Sequence, residues 1–376
     1  MKVGVLWSWS LLSLIISILS HFMHITIGRT NALELPDMNG GNFLLGLGVQ
    51  KGGTTCLYQM IKNLPWISKP FRKELRFWVN GTLDLFLNNY LSAFRNYDTN
   101  GLQNGTFFLE FTPLYIFDPL SPILLRKFMP KYEKLRFIVI LREPIARAIS
   151  GFGQEHSNPP LDVLNSSLIF SQSAMREVSE TESCLLDESI AAPRQTHFHQ
   201  LLISNSSRYC SYGRSLTSPN KYKKLISSCI DRVVFKDRGG QEKVSNAIRR
   251  GLYFEQLTHW LCMGFHPSQF FILSSRDLHD HYVQVVQEIA KFMGVNWTML
   301  KNQLVEMRQV AYSAPGHRSF NETLPIATHQ ALLSFFNSSS RNLQVILNAF
   351  PFHIYNKTSL REELTSGYSS PLYRHG

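Results

Sequence analysis

The chain has 376 residues, and its hydrophobic content of 44% is that of a folded protein with a substantial core, which excludes a wholly disordered chain. Its 38 Lys and Arg residues against 27 Asp and Glu residues give a formal net charge of +11. This charge favours a polyanionic partner, namely nucleic acid, an anionic membrane or an acidic polysaccharide, and composition alone does not choose among the three.

The N-terminal segment is the first predicted element. From Val3 to Gly28 no residue is formally charged, and a stretch of this length can span a bilayer, which needs roughly 20 predominantly apolar residues. We predict a cytoplasmic tail and a signal-anchor transmembrane helix in residues 1–29, a short stem in 30–41, and a lumenal remainder. A cleaved signal peptide is the alternative, although its apolar region is usually only about 7–15 residues long.

Eight Asn-x-Ser/Thr sequons support the lumenal placement, because such sites matter only in the secretory pathway. They lie at Asn80, Asn104, Asn165, Asn205, Asn296, Asn321, Asn337 and Asn356. We expect them to be glycosylation sites. Nuclear nucleic-acid binding is therefore set aside as the reason for the positive charge, and no nucleic-acid partner is expected.

From residue 42 onward, apolar strand-like runs alternate with helical patterns. The predicted strands are 43–48, 106–111, 136–141 and 269–274, and the predicted helices are 54–63, 121–128, 144–151, 247–263, 281–292 and 328–347. This alternation predicts an α/β fold with a central parallel sheet flanked by helices, over residues 42–355. Ligands of such sheets bind at the carboxyl ends of the strands.

A glycine-rich turn follows the first predicted strand. Residues 46–55 read Gly-Leu-Gly-Val-Gln-Lys-Gly-Gly-Thr-Thr. Gly52 and Gly53 allow the backbone to approach an anion closely, Lys51 adds a cation, and Thr54 and Thr55 add hydroxyl donors at a helix N-terminus. The lysine precedes the Gly-Gly pair, so the nucleotide-triphosphate signature is absent. The predicted fold is thus a P-loop-like three-layer sandwich with a phosphate-type anion site.

A second strand-to-helix corner follows residues 136–141. Arg142 is held at the strand end, Pro144 suits the first helical turn, and Ser150 lies two turns along the helix. We expect Arg142 and Ser150 to hold a second phosphate, since arginine gives bidentate contacts. Taken alone, a surface salt bridge and a solvated serine are the simpler explanation.

Residues 153–245 interrupt the alternation. The stretch is rich in Ser, Asn, Pro and charge, and we predict an irregular insertion there. It holds Cys184, Cys210 and Cys229, and in an oxidising lumen we expect at least one disulfide among them. Residues 356–376 are predicted to be a C-terminal tail.

Together, the two corners resemble those of the sulfotransferases. In that family the first loop holds the 5′-phosphosulfate of 3′-phosphoadenosine 5′-phosphosulfate (PAPS), and the second corner holds its 3′-phosphate. The resemblance implies donor binding by the loop residues, Arg142 and Ser150, and by Arg318 in a loop that closes over the 3′-phosphate. The predicted topology, the sequons and the charge match the Golgi carbohydrate branch, which implies a single-pass type II Golgi membrane protein.

Further segments indicate the acceptor. Residues 73–78, Lys-Glu-Leu-Arg-Phe-Trp, resemble a segment of the glycosaminoglycan sulfotransferases in which the glutamate is the catalytic base, and this implies that role for Glu74. Lys73, Arg76 and Glu110 are expected to contact the acceptor, although Lys73 and Arg76 alternatively belong to a solvated basic stretch. Glu110 is also a rival base, with a purely structural hydrogen-bond role as its alternative. Residues 182–185, Glu-Ser-Cys-Leu, and the region 318–342 resemble most the N-acetylgalactosamine 4-sulfate 6-O-sulfotransferases within this family.

The implied reaction is in-line sulfuryl transfer from PAPS to a carbohydrate hydroxyl, with a sulfated galactosaminoglycan as the expected acceptor. Lys51 and the loop amides stabilise the leaving 5′-phosphate, and Glu74 removes the hydroxyl proton. No metal is expected. Two alternatives stay open: a catalytically inactive polyanion-binding lumenal protein, and a sulfotransferase for a tyrosine or a small lumenal alcohol.

Overall fold

The computed structural model describes residues 42–64, 66–79, 90, 93–94, 107–129, 131–155, 163–189, 246–295 and 324–366. The predicted tail and anchor of 1–29, the stem of 30–41 and Arg318 lie outside these residues. Five predicted glycosylation sites also lie outside them: Asn80, Asn104, Asn205, Asn296 and Asn321. Within the described part, no helix has both the length and the apolar character needed to cross a bilayer.

The core of the fold is a six-stranded sheet in which every pairing is parallel, with the order β2-β3-β1-β4-β5-β6. The strands are β1 Asn42–Gly48, β2 Ile67–Ser68, β3 Phe107–Phe111, β4 Arg136–Leu141, β5 Phe270–Ser274 and β6 His353–Ile354. The predicted parallel sheet is confirmed, and β1 lies near its centre.

Helices connect the strands and cover the sheet. They are α1 Thr54–Ile61, α2 Ser121–Phe128, α3 Pro144–Glu155, α4 Val163–Ser189, α5 Tyr253–Cys262, α6 Ser275–Asp280, α7 Tyr282–Phe292, α8 Ile326–Ala349 and α9 Lys357–Thr365. The helix predicted over 247–263 divides into a 3₁₀ turn, Arg249–Gly251, and α5. Leu252, with φ −82° and ψ 71°, separates the two because it leaves the helical region.

Alternating strand residues feed two separate hydrophobic clusters, which makes the fold a three-layer sandwich. Leu44 packs with Leu57 of α1 and Val285 of α7, whereas its neighbour Leu45 belongs to the cluster that contains Trp260 of α5. Strands buried on both faces are typical of parallel sheets. The predicted three-layer α/β sandwich is therefore confirmed.

The prediction of an irregular insertion over 153–245 is wrong for its first part, where α4 runs for 27 residues. Phe170, Ala174 and Val178 are spaced by four residues and pack on one side of α4 against a cluster that includes Phe152 of α3. This spacing places all three on one helical face. The predicted disulfide is not described, because Cys210 and Cys229 lie outside the described residues and the side chain of Cys184 is not among those described.

The predicted C-terminal tail is also wrong as far as residue 366. The side chain of Asn356 accepts hydrogen bonds from the backbone N–H groups of Thr358 and Ser359, both at 3.1 Å, and so caps α9. Leu360 and Leu364 of this helix are buried in the main core. This final helix is therefore an integral part of the domain.

Candidate active site

The loop between β1 and α1 lies at the carboxyl end of the central strand. Lys51 has φ 69° and Gly53 has φ 102°, so both adopt the left-handed region that favours glycine. A Cβ on Gly52 would lie 2.6 Å from the Ile140 carbonyl oxygen, so only glycine lets the loop pack this closely on β4. No described side chain caps α1, which leaves its first N–H groups directed outward toward the loop.

The second corner, between β4 and α3, meets this loop. The guanidinium Nη1 of Arg142 donates a hydrogen bond of 3.1 Å to the backbone carbonyl of Lys51. The carboxylate of Glu143 accepts hydrogen bonds from the N–H groups of Ile145 and Ala146 and so caps α3, which fixes the direction of the corner. The two predicted anion-binding elements therefore form one continuous surface.

The ammonium group of Lys51 lies in an electropositive, half-buried place. Burial lowers its pKa below the usual value for lysine, and the positive charge of Arg142 lowers this pKa further. The repulsion between these two positive charges is relieved when an anionic ligand binds beside them. The pair is therefore suited to a doubly charged ligand.

The remaining predicted donor-binding residues differ in how far their side chains are exposed to solvent. Thr54 is buried in the first turn of α1, whereas Thr55 next to it is exposed. Ser150 is half-buried on α3 and lies eight residues after Arg142, a separation of about two helical turns. Ser150 therefore lies on α3 about two turns beyond the corner that carries Arg142, and its role in donor binding stays a prediction.

Glu74 lies over the end of β3, the strand next to β1. Its backbone N–H donates to the Phe111 carbonyl at 3.1 Å, and its φ is 62°. Lys73 Nζ lies 2.6 Å from one carboxylate oxygen of Glu74, and Arg76 Nη2 lies 3.5 Å from the other. Because Arg76 is 62% exposed, its contact is the more easily displaced of the two.

The prediction that Glu110 contacts the acceptor is wrong. Its side chain is 0% exposed, and it accepts hydrogen bonds from the hydroxyl groups of Tyr90 at 2.8 Å, Thr112 at 2.8 Å and Tyr115 at 2.6 Å. Burial raises the pKa of this carboxyl group, and the three hydroxyl donors oppose that rise. Tyr115 also accepts a hydrogen bond of 3.0 Å from the Phe77 backbone. Glu110 therefore holds the segment that carries Glu74 in place through Tyr115. This is the structural hydrogen-bond role given above as the alternative for Glu110.

Sequence reasoning missed the contact between Gln50 and Arg250. Nη1 of Arg250 donates to Oε1 of Gln50, the residue before Lys51, and the guanidinium lies 5.4 Å from the ring centroid of Phe117. The hydroxyl of Tyr253 donates to the Arg142 carbonyl at 2.8 Å. The Arg-Gly-Leu-Tyr run at 250–253, which leads into α5, was the available signal, because Arg250 contacts the first corner and Tyr253 the second.

The site offers no metal centre within the described residues, where no group of three or more His, Cys, Asp and Glu side chains comes together. Cys56, in α1, and Cys262, at the end of α5, are free thiols. Of the predicted glycosylation sites, Asn337 is half-buried in α8, Asn356 caps α9, and Asn165 belongs to α4 although its side chain is not described.

Comparison with known proteins identifies the family. Residues 44–323 match the family described as the sulfotransferase domain, so the chain belongs to this family and is a sulfotransferase. Members of this family generally use PAPS as the donor.

Among solved structures, the crystal structure of a sulfotransferase from Alicyclobacillus acidocaldarius is similar with a TM-score of 0.47 and 15% identity. The alignment covers 81% of this chain and 95% of that chain. No curated protein sequence matches significantly.

Proposed function

We propose that this sulfotransferase transfers a sulfuryl group from PAPS to a hydroxyl of a galactosaminoglycan such as chondroitin or dermatan sulfate. The observation that carries the donor assignment is the hydrogen bond from Arg142 to the Lys51 carbonyl, which joins the two corners. A nucleotide with phosphates on both its 3′ and 5′ positions needs two such anion sites within reach of one another. The specific subgroup, the N-acetylgalactosamine 4-sulfate 6-O-sulfotransferases, belongs to the same proposal.

The donor-side residues fit this ligand. PAPS supplies the activated sulfuryl group on its 5′-phosphate. The uncapped N-terminus of α1 and the Lys51 ammonium stabilise the negative charge that grows on the leaving oxygen. Arg142 binds the 3′-phosphate in a bidentate manner, and Ser150, two turns along α3, adds a hydroxyl donor.

On the acceptor side, Glu74 is the general base. Lys73 holds one oxygen of the carboxylate at 2.6 Å and so fixes its direction. In the described part of the chain the other oxygen pairs with the exposed Arg76 at 3.5 Å, and a sugar hydroxyl can take that place. Arg76, once released, is free to pair with an acidic group on the acceptor. General-base assistance of this kind contributes about 10²–10⁴-fold to the rate.

The Golgi location is proposed from the sequence alone. The uncharged run before residue 29, the sequons and the net charge of +11 suit a type II protein that acts on a polyanion in the lumen. Glycosidase treatment of the protein from secretory cells tests this directly. A shift to faster migration on a gel is expected, and unchanged migration contradicts the lumenal location.

The test of function uses the full chain, radiolabelled PAPS and defined galactosaminoglycan oligosaccharides with and without 4-sulfate, followed by location of the new sulfate. Lys51→Ala and Glu74→Gln should fold normally and transfer almost nothing. Lys134→Ala and Glu133→Gln are matched controls, because both residues are exposed at the opposite end of the sheet, just before β4. Transfer to tyrosine or small alcohols instead of oligosaccharides would contradict the assigned acceptor. The absence of any transfer by the wild type would contradict the assignment of the chain as an active enzyme.

A further inference from the structure

A second cleft lies between α8 and α9, outside the candidate active site, with a volume of about 550 Å³. This size is within the range of ligand sites, about 300–1,000 Å³. We call it the α8–α9 cleft. Its basic lining residues are Arg341, Lys357 and Arg361, all exposed. Among the described residues no carboxylate lines the cleft.

The charges of α9 are divided between its two sides. Lys357 and Arg361, four residues apart, lie on the cleft side. Glu362 and Glu363 face away from it, and each lies 3.6 Å from the guanidinium of Arg276 on α6. The acidic residues of α9 therefore pair with Arg276 on the far side of the helix, and Lys357 and Arg361 line the cleft.

The rest of the lining suits a carbohydrate. Gln344, Asn348 and Thr358 offer amide and hydroxyl groups that can hydrogen-bond sugar hydroxyls. Val345, which is 41% exposed, and Ile354 provide an apolar surface for the carbon face of a sugar ring. A concave cleft with this mixture fits a chain of anionic sugars better than it fits the flat surface of a membrane.

Helix α9, one wall of the cleft, contacts the sheet edge that carries the active site through the side turned away from the cleft. Glu363 of α9 accepts a hydrogen bond of 3.1 Å from the backbone N–H of Glu143, the residue directly after Arg142. The side chain of Ser359 lies 3.3 Å from that of Ser274 at the end of β5. This helix therefore lies between the cleft and the carboxyl ends of β4 and β5, and a polymer that contacts both places has to be long enough to pass around it.

We infer that the α8–α9 cleft binds a second segment of the anionic polysaccharide acceptor, away from the sugar that is sulfated. This inference rests on the proposed function, because it assumes a polymeric acceptor. The cleft then raises the affinity for long chains through an additional contact on the same molecule. It has no part in the transfer step itself.

The test compares the triple variant Arg341→Gln, Lys357→Gln, Arg361→Gln with the control Lys127→Gln, Lys131→Gln, Lys134→Gln. The control removes the same charge from exposed residues in the last turn of α2 and in the segment before β4, at the opposite edge of the sheet. With the full chain, the first variant should raise KM for a long chondroitin sulfate about eightfold, taking about twofold for each of the three exposed charges. Its kcat, its KM for PAPS and its KM for a tetrasaccharide should equal those of the wild type.

A donor-free measurement separates this inference from the proposed function. The cleft variant should elute from immobilised chondroitin sulfate at lower salt than the wild type and the control. If the wild type transfers no sulfate but this difference remains, the cleft assignment stands and the proposed function fails. Equal elution of both variants, or an equal rise of KM for the tetrasaccharide, overturns the cleft assignment. Binding of the cleft residues to phosphatidylserine vesicles instead of the polysaccharide would also overturn it.

Discussion

Replacement of Gly52 by alanine is the most direct perturbation of the glycine loop. The new Cβ would lie 2.6 Å from the Ile140 carbonyl oxygen and 3.0 Å from that of Val49, both backbone atoms that do not rotate away. Ordinary contact begins near 3.4 Å, so the loop or the end of β4 must move by more than half an ångström. Overpacking of this kind costs about 1–3 kcal/mol of folding stability.

The same displacement should harm donor binding more than stability. The Ile140 carbonyl also accepts the hydrogen bond of 3.0 Å from the Val49 N–H that holds the loop on β4. Misplacement of a binding group by about 1 Å can cost on the order of 10²-fold in activity. We therefore expect kcat/KM for PAPS to fall about 10–100-fold, measured by initial rates of labelled sulfate transfer.

Gly294→Ala is the matched control for this experiment. Gly294 has φ 71°, so alanine there is strained, but its Cβ meets no atom within 4 Å and the residue follows α7, away from the loop. The strain should cost about 1–2 kcal/mol and leave kcat/KM unchanged. If Gly52→Ala retains the donor affinity of the wild type, the account of the loop as an anion cradle is refuted. Equal losses of activity in the two variants would refute it as well.

Three further predictions concern single charged side chains. Donor affinity should fall as pH rises through the lowered pKa of Lys51, because the ammonium group then loses its charge. Lys51→Arg should keep the affinity at high pH because arginine stays charged, and calorimetric titration with 3′-phosphoadenosine 5′-phosphate measures both proteins. Glu74→Gln should lower kcat on the order of 10²–10⁴-fold without changing donor affinity, and a rate near that of the wild type would remove the base assignment. Burial raises the pKa of Glu177 from 4.5 to about 7, so its contribution to the free energy of unfolding should fall by about 3 kcal/mol as pH rises through this range. Melting curves at several pH values should show this loss in the wild type and not in Glu177→Gln.

The strands of the central sheet could be predicted because their sequences are apolar on both faces. The run Arg136–Leu141 was predicted with the bounds that the structure shows. Edge strands β2 and β6 have two residues each, and so short a segment gives no periodic signal. They form because neighbouring strands offer hydrogen-bonding partners, which a local pattern does not reveal.

The segment predicted as an irregular insertion contains an apolar pattern that indicates a helix, but its polar composition pointed the other way. Phe170, Ala174 and Val178 repeat every four residues within a polar, serine-rich stretch. The polar composition favoured an irregular segment, whereas a narrow apolar stripe is enough when it packs on another helix. Glu177 on the same helix accepts backbone hydrogen bonds from Ile248 at 3.0 Å and Arg249 at 2.7 Å, which joins α4 to the segment before α5.

The candidate site was predictable where its residues follow one another in the chain. The loop containing Lys51 and the corner containing Arg142 each carry a local motif, and the resemblance to sulfotransferases implied that they meet. Glu110 was misjudged because its burial depends on Tyr90 and Tyr115, which come from other segments. The partner of Arg250 lies 200 residues away at Gln50, and no local pattern indicates such a contact.

The central claim is that the two corners bind opposite ends of one nucleotide. Calorimetry of Arg142→Gln and Lys51→Ala, each with 3′-phosphoadenosine 5′-phosphate and with adenosine 5′-phosphate, tests it most directly. Arg142→Gln should remove most of the extra affinity that the 3′-phosphate supplies, while Lys51→Ala should weaken both ligands. If Arg142→Gln weakens the two nucleotides equally, or weakens neither, the two corners do not share one donor and the account is contradicted.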